Sequence, residues 1–413
     1  MNENDRSIVG VAMLAHAMVH TYELSIPILV TVWLDTFSVT AATIGFVVSM
    51  GYALFGLGAL PGGILADVYG SRPLILACLG GMGASFLLLS VAPSVPFIAL
   101  ALLVWGTAAS VYHPSGLSLL SKGVSQRGTA FAYHGMAGNL GIALGPLATA
   151  LLLLVFDWRQ VTALLAVPAG VAVLLTLTIE FDENASVEAT DGGTTDGEAT
   201  DSKADTVSSL SELFSESRNL FTAGFLAVFA IVMCSGLYYR GALTFLPDLL
   251  AGLPMFDPVE LGGRTLEPSR YLYTGLLMVG IAGQYAGGKL TDRMETERGI
   301  ALGFGGLAVV AVLFVPASNA GLAALLAISV VLGFLLFFVQ PFYQATVAQY
   351  TPAGLRGLSY GYTYLGVFGV GALGAALAGF VLTYASPSAL FFVLAAIAAT
   401  AAVLAGNLAR TAA

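Results

Sequence analysis

The chain has 413 residues, 57% hydrophobic and only 9% charged, with a mean hydropathy of +0.88; soluble domains carry about 25% charged residues. A soluble enzyme is excluded, and the useful count is of bilayer spans. The net charge of −9 is local, because residues 181–216 hold ten acids against one base, Lys203; the remainder is neutral and offers no basic patch to nucleic acid.

Apolar runs of spanning length, near the roughly 20 residues a bilayer needs, follow one another along the chain. Six precede the acidic segment: Ile8–Trp33, Ala41–Leu65, Pro73–Val91, Pro96–Leu120, Thr129–Phe156 and Val161–Ile179. The first is longer than a signal-peptide core and carries ionisable groups, so it is expected to stay in the mature protein. Six more follow: Leu220–Leu250, Tyr271–Leu290, Ile300–Val315, Leu322–Tyr350, Leu358–Tyr384 and Pro387–Leu408. The reading is an all-α integral membrane protein with twelve transmembrane helices: an N-terminal bundle (1–180), an acidic linker expected to be disordered (181–218) and a C-terminal bundle (219–413).

An even number of spans puts both termini and the linker on one side. Eleven of the fifteen Lys and Arg fall there, three (Arg159, Arg264, Arg270) on the other, and Arg240 inside a span. This bias predicts cytoplasmic termini in a multi-pass protein of the cytoplasmic membrane. Cys78 and Cys234 lie in apolar runs and read as packing residues, not as a disulfide or metal site.

The halves echo each other. Gly63 and Asp67 recur as Gly288 and Asp292, Gly106 and Pro114 as Gly333 and Pro341, Arg127 and Gly128 as Arg356 and Gly357, and Gly145 as Gly374, at a nearly constant offset. Parallel repeats about an axis normal to the membrane, enclosing a mid-depth site, mark alternating-access carriers. The run Gly63, Asp67, Gly70, Arg72 resembles the signature between the second and third helices of the major facilitator superfamily, and Gly288, Asp292, Arg293 resembles its second-half copy; Val68 and Ser71 stand where the family usually has bases. Tyr112, His113 and Pro114, with Gly138, Asn139, Leu140, Gly141, Gly145 and Pro146, look like the fosmidomycin-resistance efflux branch. Gly141, Gly145 and Pro146 also resemble part of an antiporter motif, with Thr149 and Ala150 replacing its glycine pair. The resemblance implies two pseudo-twofold-related six-helix bundles, export, and a gating role for Asp67, Arg72, Asp292 and Arg293, each aspartate meeting the positive end of a nearby helix.

Ionisable residues inside hydrocarbon are functional candidates by default. His16, His20 and Glu23 share one face of the first helix. At about 1.5 Å per residue, His16 and His134 lie each ~12 Å deep, with His113 comparable. Glu23, His20, His113, His134 and His16 are therefore the expected proton-coupling residues. Arg240 needs an anion, which Glu23, Asp35 or a substrate would supply. Tyr112, Asn139, Tyr239, Arg240, Gln340, Tyr343 and Gln344 are the expected substrate-binding residues, with Tyr360, Tyr362 and Tyr364 as possible additions to the wall. Gly283, Gly288 and Lys289 mimic a P-loop, but Leu290 occupies the Ser/Thr position.

Together these features predict a non-enzymatic secondary transporter that exports a small organic solute, anionic or antibiotic-like, against a proton or sodium gradient as a monomer in the bilayer. No cofactor, nucleic-acid partner or bound metal is assigned. The alternatives are a transition-metal or nutrient uptake carrier, motivated by the His16, His20, Glu23 spacing, and a non-transporting receptor or scaffold that uses the acidic linker.

Overall fold

A computed structural model describes residues 1–185, 210–352 and 355–412. The first half folds as α1 (Glu3–Phe37), α2 (Ala41–Leu57), α3 (Ala59–Tyr69), α4 (Ser71–Ser90), α5 (Val95–Ser110), α6 (Tyr112–Gly123), α7 (Arg127–Leu152) and α8 (Trp158–Thr178). The second contains α9 (Leu210–Leu220), α10 (Ala223–Leu243), α11 (Leu246–Ala251), a short hairpin of β1 (Val259–Leu261) and β2 (Arg264–Leu266), α12 (Pro268–Leu290), α13 (Thr296–Ala320), α14 (Leu322–Gln349), α15 (Arg356–Tyr364), a π-helical turn (Leu365–Val370), α16 (Leu373–Tyr384) and α17 (Pro387–Ala412).

Polar residues between the apolar runs set the ends. Thr40 and Thr222 cap α2 and α10 by accepting from the amides of Thr43 and Phe225, and Asp157 with Gln160 forms a reciprocal capping box on α8. Among the described residues, ten helical stretches are long and apolar enough to cross a bilayer, and α2 with α3 makes a further span bent by 45°. The remaining predicted span, α12, has 23 residues, enough for about 34 Å, but Arg270, Gln284 and Lys289 lower its apolarity.

Helix pairing displays the repeat. In the first half the second span packs on the fourth (α2 on α5), the third on the sixth (α4 on α8) and the first on the fifth (α1 on α7). In the second half the eighth packs on the tenth (α12 on α14), the ninth on the twelfth (α13 on α17) and the seventh on the eleventh (α10 on α16). The halves meet through α2 on α16 and α7 on α12, contacts that also exchange under the pseudo-twofold. Gly106 and Gly333, paired by the sequence repeat, do equivalent work: a methyl group on either would run into a backbone carbonyl, of Gly51 or of Leu276.

Both described ends of the expected linker are structured. Residues 186–209, which hold most of its acids, lie outside the described residues. Glu183 accepts from the backbone amides of Ser71 (2.7 Å) and Arg72 (3.0 Å) at the start of α4, an anion on a positive helix end. From Leu210 the chain is helical, and the Tyr362 hydroxyl bonds Ser217 at 2.8 Å. The expectation of disorder over 181–218 is thus corrected at both ends: composition averaged over the whole segment hid one capping carboxylate and one helix.

Candidate functional site

The first span brings most of the expected site together. His16, His20 and Glu23 follow one another up one face of α1 and are linked in series. His20 Nδ1 lies 2.5 Å from Glu23 Oε2, and His20 Nε2 lies 3.1 Å from His16 Nε2. His16 Nδ1 lies 2.7 Å from the backbone carbonyl oxygen of His134 on α7. The rings of His16 and His134 stack at 3.8 Å and 9°.

Small residues on α7 make that approach possible. A Cβ at Gly138 would stand 2.5 Å from the His16 ring, and Cβ atoms at Gly141 and Gly145 would collide with the α1 backbone at Ala17 and Thr21. The glycine spacing that carried the efflux resemblance therefore lets α7 seat the histidine face of α1.

Tyr112 closes the other side of the stack. Its hydroxyl donates to the Ala12 carbonyl at 2.5 Å and lies 3.1 Å from His134 Nε2. With its hydrogen committed to Ala12, this hydroxyl accepts from His134, which fixes the His134 tautomer. Tyr112, expected to touch substrate, is fully buried and braces the histidines here. His113 joins by ring contacts, 5.4 Å from His16 and 5.7 Å from His20, and packs on Phe55, Tyr364 and Phe368.

The partner of Arg240 is Glu23: the guanidinium of α10 forms a salt bridge with Glu23 Oε1, joining the two halves, with the side chains 3% and 1% exposed. The guanidinium carbon sits 3.7 Å above the Tyr52 ring, with Tyr239 at 5.5 Å and Phe368 at 5.7 Å, cation–π contacts that offset part of its desolvation. Tyr52 also donates to the Glu23 backbone carbonyl at 3.0 Å. Removing one partner of such a pair typically costs about 3–5 kcal/mol, because the other charge is left buried alone.

Buried polar atoms on α10 and α12 remain unused. Arg240 Nε, the Tyr273 hydroxyl and Gln284 Oε1 are buried without hydrogen-bond partners among the described residues. Such groups are costly unless something satisfies them. Tyr273 and Gln284 share one face of α12 but stand about 16.5 Å apart along it; Tyr273 is the one near Arg240, Glu23, Tyr52 and Tyr239. The sequence reading did not single out Tyr52, Tyr273 or Gln284; polar aromatics and an amide in apolar runs were the available signal.

Other expected residues are more dispersed. Tyr343 is buried, Tyr239, Asn139 and Gln340 are half-buried, and Gln344 is exposed. Tyr362 points to Ser217 on α9. Asp67 pairs with Lys122 at 2.8 Å, both partners over a third exposed. The α4 amides instead take Glu183, and the Arg72 guanidinium donates to the Thr176 and Leu177 carbonyls at the end of α8 (2.9 and 3.1 Å). In this conformation Asp67 meets a lysine, and the start of α4 is capped by Glu183.

Residues 9–375 match the Major Facilitator Superfamily. An uncharacterised MFS-type transporter of Mycobacterium tuberculosis is 42% identical over 118 residues, 28% of this chain and 27% of that protein. The puromycin resistance protein of Streptomyces alboniger is 35% identical over 126 residues, 30% of this chain and 24% of that protein. The chain therefore spans about a quarter of the length of these curated relatives. A solved peptide transporter in complex with sulfate aligns with a TM-score of 0.76 at 13% identity, covering 98% of this chain and 94% of that one, which shows the fold.

Proposed function

The chain belongs to the major facilitator superfamily, a multi-pass membrane transporter and not an enzyme, and from that premise we propose that it exports a small organic solute in exchange for protons. The observation that carries this reading is the buried salt bridge between Glu23 and Arg240, which ties α1 of one half to α10 of the other and continues into the His20–His16 chain. The carboxylate accepts from an arginine and faces a histidine, and a proton taken up there weakens its hold on Arg240. While charged, the carboxylate accepts from a donor group of the solute; once protonated it does not, so solute and proton occupy the site in turn, as exchange requires. Rocking halves need an interaction made in one state and broken in another, and this pair lies on their boundary.

The orphaned donors of Arg240 and Tyr273 suit the acceptor groups of a polar solute, an anionic or antibiotic-like molecule, bound between aromatic faces. Outward movement is supported by the resistance function named for the Streptomyces alboniger relative. The Lys/Arg bias supports cytoplasmic termini in the cytoplasmic membrane. In this reading two six-helix units, 1–180 and 219–413, rock about the site, with Asp67, Arg72, Asp292 and Arg293 at the linker-side gate.

The test uses purified protein in sealed vesicles with an imposed pH gradient and puromycin as first probe, followed by a panel of organic anions. Export predicts solute accumulation on the acidic side, accompanied by proton movement the opposite way. A panel in which no solute moves faster than in empty vesicles, or in which every solute moves regardless of the gradient, overturns the proposal.

A further inference from the structure

Three histidines of this cluster have the arrangement of a metal site, a conclusion that goes beyond the transport reading and is measured without it. Among the described residues, ligand atoms of His16, His20 and His113 all lie within 4.8 Å of one another. The hydrogen bonds determine which nitrogens are bare. His16 Nδ1 faces the His134 carbonyl oxygen at 2.7 Å; a carbonyl only accepts, so this nitrogen carries hydrogen, and Nε2 of a neutral His16 is a lone pair. His20 Nδ1 faces the Glu23 carboxylate at 2.5 Å. With Arg240 on the other oxygen, the carboxylate is an acceptor too, and Nε2 of a neutral His20 is also a lone pair.

These two lone pairs face each other at 3.1 Å. Two acceptors at that separation repel unless a cation lies between them, and either a proton or a metal ion meets the need. A tetrahedral zinc ion with Zn–N distances of 2.0–2.1 Å holds two nitrogen ligands about 3.3 Å apart. His16 and His20 are already within a few tenths of an ångström of that spacing. Their outer nitrogens have the supports that metal-bound histidines use, a backbone carbonyl for one and a carboxylate for the other. His113, 5% exposed, makes no hydrogen bond among the described residues and brings its ligand atom into the same 4.8 Å sphere.

We infer that His16, His20 and His113 bind one divalent transition-metal ion of the zinc class, with the fourth position left to water or solute. Neutral imidazoles suit zinc, copper or nickel and disfavour calcium and magnesium, which prefer oxygen. The sequence suggested a different set, His16, His20 and Glu23; in the structure Glu23 supports His20 from behind, and His113, from another helix, completes the trio. The ion would occupy the place of the bridging proton, so the two exclude each other.

The test is calorimetric titration of Zn2+ into the full-length chain in detergent micelles, with any affinity tag removed, and no solute or gradient is required. One ion per chain is expected, together with the visible absorption of a tetrahedral complex when Co2+ is used. His20→Ala should abolish binding, and Glu23→Gln, which leaves all three ligands, should weaken it by at least tenfold, as supporting partners of metal ligands do. Size-exclusion profiles and thermal midpoints establish that both variants are folded; should His20→Ala not fold, His113→Gln takes its place with the same expectation. Absence of saturable Zn2+ binding to the wild type, or unchanged binding in the histidine variants, overturns the inference. Failure of solute export in the vesicle assay leaves this result untouched, and the reverse also holds.

Discussion

The two halves share a helix-pairing scheme and differ in chemistry. All four histidines and Glu23 belong to the first half, whereas the second contributes Arg240 and a set of tyrosines to the same site. The repeat is preserved where backbone must meet backbone, as at Gly106 and Gly333, and is lost where side chains meet the centre. Packing thus constrains both copies alike, while the titratable groups are concentrated in one half and their counter-charge in the other.

The largest effect that would break this comparison is at the salt bridge. Arg240→Ala or Glu23→Ala should each lower stability by about 3–5 kcal/mol, read from reversible unfolding in detergent. The double variant Glu23→Ala with Arg240→Ala should recover part of that loss, since neither charge is stranded. Strict additivity of the two losses would mean that the halves are not energetically joined there.

A smaller effect sharpens the equivalence of the halves. Gly106→Leu and Gly333→Leu should both destabilise, by roughly 1–3 kcal/mol or more, because each forces apart a helix crossing that has no room for a side chain. Thermal unfolding of the two variants should give similar shifts. A large loss in one and none in the other would show that the repeat no longer governs packing.

Next in size is Tyr112→Phe, which removes the hydroxyl that bonds Ala12 and orients His134. A cost of about 1–2 kcal/mol is expected, together with altered pH dependence of flux, since the histidine stack loses its brace. Smallest is Lys122→Gln, whose exposed pair with Asp67 should contribute no more than ~1 kcal/mol and should weaken further in salt. The contrast between this pair and Glu23–Arg240 isolates burial as the source of the difference.

Much of the architecture was legible because hydrophobic runs and repeated glycines are local or periodic signals. The pairing of Glu23 with Arg240 was one of three options left open; sequence spacing cannot choose among anions on different helices. Breaks inside spans were not legible. The second span bends at Gly58, where a Cβ would meet Ser110 of the fourth, and the eleventh widens into a π-helical turn at Leu365–Val370, where Gly369 lies against Gly56 of the second. Both depend on a neighbour distant in sequence. The Asp67–Lys122 and Glu183–α4 contacts join residues 55 and more than 100 positions apart, which sequence spacing does not bring together.

The central claim is that Glu23 links proton uptake to movement of the halves. Gradient-driven solute flux in vesicles containing Glu23→Gln, compared with wild type, addresses it most directly. The account predicts that the variant still exchanges solute for solute across the membrane but no longer accumulates it against a gradient when a pH difference is imposed. Equal pH-driven accumulation by both proteins would contradict it.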